Sequence, residues 1–236
     1  MIRAIIFDFN GVIADDETPH AVCFRQALAE SGLGLSTEDY YGRCLGMDER
    51  ICAAKLLADR DGSCDKSRLD AIIRRKAELF RAYTAQSKPP LFPGAVEFVK
   101  AALPRYRLAI ASGGRREQID EALRNTAIEH DFEIIVSADD CPIGKPDPAI
   151  YLLTVKLLNG RRPQPPLLTA GECLVIEDSQ AGLLSARAAG MAVVGLATTY
   201  PAEQLKGADL VLSRLEETTP EGLCHRLRPT TLRPGS

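Results

Sequence analysis

The chain has 236 residues, 45% of them hydrophobic and 26% charged, with a net charge of −3. That length accommodates one large domain or a core with a smaller partner, and the composition is that of an ordinary globular protein. The charge balance argues against a protein built to coat nucleic acid or an anionic membrane, and no segment approaches the ~20 apolar residues of a membrane span.

The first element, Arg3–Phe9 (RAIIFDF), is β-branched and aromatic and reads as a strand buried on both faces. From about Asp15 to Pro90 the pattern turns helical, with candidates at His20–Ser31, Glu38–Cys44, Glu49–Asp59 and Arg68–Gln86. Gly32 and Gly34 stop the first of these, and Ser36 with Asp39 signals the start of the second. Strands and helices then alternate. Helices are expected at Ala95–Leu103, Arg116–Asn125, Pro148–Leu158 and Gln180–Ala189, and strands at Arg107–Ala111, Glu133–Val136, Cys173–Ile176, Ala192–Leu196 and Asp209–Leu212. This alternation predicts an α/β fold with a doubly wound parallel-sheet core. The core takes residues 1–15 and 88–236, and an inserted α-helical cap takes 16–87. Asn159–Glu172, with three prolines, reads as a surface loop. The tail from Cys224, carrying Arg226, Arg228 and Arg233, reads as a frayed end.

There are seven cysteines, an odd number, none in C-x-x-C spacing and none with a histidine placed to complete a zinc site. Reduced thiols are expected. The apolar run Ala4–Phe7 breaks at Asp8, unlike a signal peptide, so a soluble cytoplasmic protein is expected.

In an open α/β sheet, ligands collect outside the carboxyl ends of the strands. Four polar clusters fall there. Asp8, at the end of the first strand, can attack phosphorus, and Gly11 permits a tight turn beside a ligand. Ser112-Gly113-Gly114 can present a hydroxyl and backbone N–H groups to phosphate oxygens. Lys145 can offset charge on a nucleophile and a phosphoryl group. Glu177-Asp178-Ser179 offers two hard carboxylate ligands of the kind Mg²⁺ takes. Each cluster alone has a plain alternative, as a turn, a helix cap or a surface pair. Their order and spacing carry the specificity.

FDFNGVIADDE, IASGG, GKPDP and VIEDSQAG match, in order, the four motifs of the haloacid dehalogenase superfamily, which the chain resembles from about residue 2 to 215. EDSQAG and the helical insert are similar to the branch of β-phosphoglucomutase and small sugar-phosphate phosphatases, with its C1-type cap. The resemblance implies a hydrolase acting on a small phosphorylated metabolite. From the charge balance no nucleic-acid or membrane partner is expected, and the chain is expected to be a monomer or small homo-oligomer. The resemblance also implies that Asp8 forms an aspartyl-phosphate and that Ser112 and the Gly113 backbone bind the phosphoryl group. Lys145 would offset charge, and Asp8, the backbone carbonyl of Asn10, Glu177 and Asp178 would hold Mg²⁺. His20, Gly46, Arg50 and Lys76 are cap candidates for substrate contact. His20 reads equally as an exposed helix-start histidine, and Lys76 equally as part of a solvated face with Arg74 and Arg75. Positions that are basic in the mutase are Leu45 and Glu49 here, which weakens a mutase reading. Dehalogenase chemistry would leave the acidic pair Glu177-Asp178 without a task.

One departure stands out. Relatives usually carry a second aspartate two residues after the nucleophile as acid and base, and here that position is Asn10. A carboxamide hydrogen-bonds but does not exchange a proton near neutral pH. Three readings stay open: a substrate whose leaving group needs no proton, a substitute acid among Asp15, Asp16, Glu17 and His20, or a phospholigand-binding chain with impaired catalysis through a natural or engineered Asn10.

Overall fold

The computed structural model of the chain describes residues 1–44, 49–86, 88–163 and 165–227. The described chain divides into two units, Met1–Ala14 with Leu91 onward, and Asp15–Pro90. The cut falls where the two connecting segments run side by side. Ala14 bridges Leu91, and Asp15 N donates to Pro90 O at 2.9 Å.

In the first unit, β1 (Ala4–Phe7) has all four side chains buried. It pairs in parallel with β2 (Arg107–Ala111) on one side and β4 (Cys173–Glu177) on the other. With β3 (Ile134–Val136), β5 (Ala192–Leu196) and β6 (Leu210–Leu212) the sheet runs β3-β2-β1-β4-β5-β6. The period of two sorts the side chains by size. Ile5, Phe7, Leu108, Ile110, Leu174 and Ile176 face one layer, and Ala4, Ile6, Ala109, Ala111, Cys173 and Val175 face the other. The larger set packs on Phe98 and Val99 of α5 (Ala95–Ala102), Ile119 of α6 (Arg116–Leu123) and Leu223 of α9 (Pro220–Arg226). The smaller set lets α7 (Ala149–Arg161) and α8 (Gln180–Ala188) approach through Tyr151, Leu158, Leu183 and Ala186. Both faces are covered, as an all-parallel sheet requires.

The second unit is helical. Helix α1 (Glu17–Glu30) packs along α4 (Lys66–Gln86), with Phe24, Leu28, Leu57 and Ile72 in its core. Between them come the short α2 (Thr37–Asp39), a π-helical turn over Tyr40–Cys44 and α3 (Glu49–Asp61). Ser36 Oγ caps α2, accepting from Asp39 N at 2.9 Å.

Four expectations are corrected. The single helix expected over Glu38–Cys44 is a capped α-helical turn that widens into a π-turn. Helix α7 runs on to Arg161, so the proline-rich loop begins at the first proline, where the ring ends helical hydrogen bonding. The tail is ordered through Arg226, because Thr219 caps α9 and Leu223 is buried. Cys44 and Cys52 form a disulfide, with Cα atoms 5.8 Å apart, where only reduced thiols were expected. Their eight-residue separation carries no pairing signature, and folding of the helices brings them together. No helix among the described residues is long and apolar enough to cross a membrane.

Candidate active site

The strand order reverses direction between β1 and β4, and the crevice outside the carboxyl ends of two such strands is where open α/β sheets bind ligands. Asp8 leaves β1 at this point and Asp178 leaves β4. Asp8 N donates to Ile176 O at 2.9 Å, which holds the first acid beside the second strand's end. The chain then turns sharply, with Ile13 N and Ala14 N both donating to Phe9 O. Gly11 sits at φ +75°, where a Cβ would collide with the Asp178 carboxylate and Thr199. Glycine is required there both by backbone conformation and by that close approach.

Ser112 follows β2, anchored by its N–H on Val136 O at 2.9 Å. Its hydroxyl donates to Asn10 Oδ1 at 3.2 Å and accepts from Gly114 N at 3.0 Å. Gly113 faces open space. Lys145 enters from the loop before α7. Its ammonium lies 2.5 Å from Glu177 Oε1, 3.0 Å from Asp8 Oδ1 and 5.2 Å from the Tyr151 ring centre.

Glu177 is fully buried and fully engaged. Oε1 accepts from Lys145 and from the Tyr151 hydroxyl at 3.1 Å, and Oε2 accepts from Ser179 N and Ser179 Oγ, each at 2.9 Å. Burial alone would raise its pKa, but Lys145 and the Ser179 hydrogen bonds outweigh burial and hold it below the usual carboxylate value. Asp178 goes the other way. Burial, then the neighbouring charges of Glu177 and Asp8, push it well up. Asp8 rises to about 7, through burial first and against the pull of Lys145. Lys145 is held charged by Asp8 and Glu177 despite its own burial.

Three buried carboxylates thus face one ammonium, and their oxygens lie within 4.8 Å of one another. Asp8 Oδ1 is sealed from solvent and, though within ion-pair range of Lys145, takes no directed hydrogen bond. An under-compensated cluster of hard oxygen donors with an orphaned oxygen fits a divalent cation of the Mg²⁺ type. Because Glu177 already accepts four hydrogen bonds, Asp8 and Asp178 are the better-placed side-chain ligands.

The structure therefore brings Asp8, Asn10, Ser112, Lys145, Glu177 and Asp178 together, with Gly113 beside Ser112. Residues left unassigned in the sequence complete the setting: Tyr151, Ser179, Gly182, Thr198 and Thr199. Thr198 Oγ1 donates to Gly11 O, and Thr199 hydrogen-bonds Asp178. A Cβ on Gly182 would overlap the Glu177 carboxylate, so glycine in EDSQAG makes room for it. Tyr151 is one helical turn beyond Asp147, and an aromatic with a polar tip on a buried helix face was the available signal.

The cap candidates lie in the helical unit. Lys76 is buried, not part of a solvated face, and its Nζ lies 2.5 Å from Glu49 Oε1. His20 Nδ1 reaches the same Glu49 oxygen at 3.1 Å, and His20 Nε2 reaches Asp16 at 3.2 Å. Burial and Lys76 oppose protonation of His20, but Asp16 and Glu49 prevail and raise its pKa to about 9. Glu49 drops to about 2, because Lys76 and His20 outweigh its burial. Arg50 pairs instead with Asp70 on the exposed surface. Gly46 lies outside the described residues.

The family model of haloacid dehalogenase-like hydrolases matches residues 2–190. CbbY of Rhodobacter capsulatus is 32% identical over 88% of this chain and 89% of its own length. The phosphorylated carbohydrates phosphatase of Thermotoga maritima is 31% identical over 80% of this chain and 82% of its own. Among solved structures, an aspartate-to-asparagine mutant of CbbY from Rhodobacter sphaeroides, in complex with xylulose-1,5-bisphosphate, superposes with a TM-score of 0.79 at 26% identity, covering 94% of this chain and 99% of that one.

Proposed function

Because the chain belongs to the haloacid dehalogenase-like hydrolases, we propose that it is a Mg²⁺-dependent phosphohydrolase of phosphorylated sugars that works through an aspartyl-phosphate on Asp8. The observation that carries this reading is Asp8 at the strand-order reversal, 3.0 Å from the Lys145 ammonium and clustered with Glu177 and Asp178. The phosphatase activity of the Thermotoga relative on phosphorylated carbohydrates supports the substrate class. The sugar bisphosphate bound to the CbbY mutant supports an asparagine-bearing site that still holds such a ligand.

In this mechanism the Ser112 hydroxyl and the N–H groups of the Gly113-Gly114 turn hold the phosphoryl oxygens. Lys145 favours the ionised form of Asp8 beside an anionic substrate and shields the developing charge. Glu177 keeps Lys145 aimed at Asp8. A Mg²⁺ ion held by Asp8, Asp178 and the Asn10 backbone carbonyl would supply further charge neutralisation at the phosphoryl group. Asn10 orients the leaving oxygen through its carboxamide but gives it no proton. The test is phosphate release from a panel of sugar mono- and bisphosphates with and without Mg²⁺. Release that needs Mg²⁺ and is abolished in Asp8→Asn supports the assignment, and release that survives that substitution overturns it.

A further inference from the structure

We infer that this chain accumulates a long-lived phospho-Asp8, charged fastest by donors whose leaving group departs without a proton, such as acyl phosphates. The inference rests on Asp8 being the nucleophile proposed above, and it concerns the fate of the phosphoryl group once there.

Two half-reactions are involved. In the first, an Asp8 oxygen forms a bond to phosphorus while the bond from phosphorus to the donor oxygen breaks, that oxygen keeping the electron pair. A sugar alkoxide leaving this way must be protonated. The carboxylate released from an acyl phosphate is stable as an anion, so charging needs no acid. In the second, a water oxygen bonds to phosphorus, Asp8 departs as carboxylate and the water proton must go to a base. Without a base, that step loses the roughly 10²–10⁴-fold help that general acid–base groups provide.

Among the described residues of the core unit, the surroundings of Asp8 supply the charging apparatus without that base. Asn10, two residues on, is a carboxamide whose Oδ1 accepts from the Ser112 hydroxyl at 3.2 Å. Glu177 accepts four hydrogen bonds with its two oxygens. Tyr151 spends its hydroxyl on Glu177, and Lys145 is the balancing cation. Asp178 is held against Gly11 and Thr199 as a candidate metal ligand. Ser112, Gly113 and Lys145 nevertheless keep the arrangement that positions a phosphoryl group. The site can load more readily than it can discharge.

The experiment is intact-mass spectrometry of the full chain, acid-quenched after incubation with Mg²⁺ and acetyl phosphate, then followed in time after the donor is removed. The same is done with glucose 6-phosphate as donor, and with Asn10→Asp and Asp8→Asn. The native chain is expected to gain one phosphoryl group from acetyl phosphate, far more slowly from glucose 6-phosphate, and to lose it about 10²-fold or more slowly than Asn10→Asp. Asp8→Asn is expected to gain none. Rapid phosphate release with no accumulated adduct would overturn the inference while leaving the hydrolase reading intact, since a base from elsewhere in the chain would then be at work. Absence of both adduct and phosphate release in native and Asn10→Asp chains would overturn both.

Discussion

Lys145 Nζ lies 2.5 Å from Glu177 Oε1, and the carboxylate end of that pair has no exposure to solvent. The same ammonium is 3.0 Å from Asp8, so one cation balances two buried acids. Removing it leaves both charges without compensation in a site they cannot leave. Lys145→Met is expected to destabilise the chain by about 3–5 kcal/mol in chemical denaturation. Adding Glu177→Gln to that variant is expected to restore part of the loss. A single variant as stable as the native chain would refute the ion-pair account.

Under the proposed mechanism, Asn10 is expected to set the ceiling on turnover of sugar phosphates. Asn10→Asp places a carboxylate where a proton can be given to the leaving oxygen, and steady-state hydrolysis is expected to rise by about 10²-fold or more. The change is nearly isosteric, so it tests chemistry more than packing. An unchanged rate would show that proton transfer is supplied by another group.

The fold and most of the site were legible because their signals are local. A strand buried on both faces announces itself as an uninterrupted apolar run, and all six such runs formed strands. The polar residues that follow them landed where parallel strands end. What escaped depends on contacts between distant segments. Tyr151 reads as one more apolar helix residue until α7 is laid on the sheet and its hydroxyl meets Glu177. Lys76 sits in a run of three basic residues, and only the packing of α4 against α1 and α3 turns it inward to Glu49. Cys44 and Cys52 belong to different helical turns whose approach no spacing rule encodes.

Two glycines are tests of how tightly the acids are held. Gly182→Ala would drive a methyl group into the Glu177 carboxylate, and Gly11→Ala would meet Asp178 from a backbone conformation that disfavours alanine. Both variants are expected to lose about 10²-fold or more in activity, as misplaced catalytic groups do. Gly113→Ala, which meets open space, is expected to keep its fold and serves as the folding comparison. Activity retained in Gly182→Ala would contradict the placement of Glu177.

Mg²⁺ should act as a stabilising ligand before any substrate is added. A cation that binds the native cluster but not the unfolded chain is expected to raise stability by about 2.7 kcal/mol at a hundredfold excess over its Kd. Thermal melting with increasing Mg²⁺ measures this. Asp178→Asn, which removes one of the two best-placed ligands, is expected to abolish the increment. An equal Mg²⁺ response in the variant would move the metal elsewhere.

The helical unit carries its own titration. The pKa of His20 rises from 6.5 to about 9, and that of Glu49 falls from 4.5 to about 2. For His20 the folded value is the higher one. Its contribution to stability is fully present below pH 6.5 and is lost as pH climbs through 9. For Glu49 the folded value is the lower one, so its contribution is fully present above pH 4.5 and is lost as pH falls through 2. Both are complete only between pH 4.5 and 6.5. NMR titration of the imidazole resonances is expected to show one of the three histidines titrating near pH 9. Glu49→Gln removes a carboxylate that the ring and Lys76 share, leaving the ammonium beside the imidazole. The His20 pKa is then expected to drop by at least about one pH unit. Three histidines all titrating near 6.5 in the native chain would dismantle the network of Asp16, His20, Glu49 and Lys76.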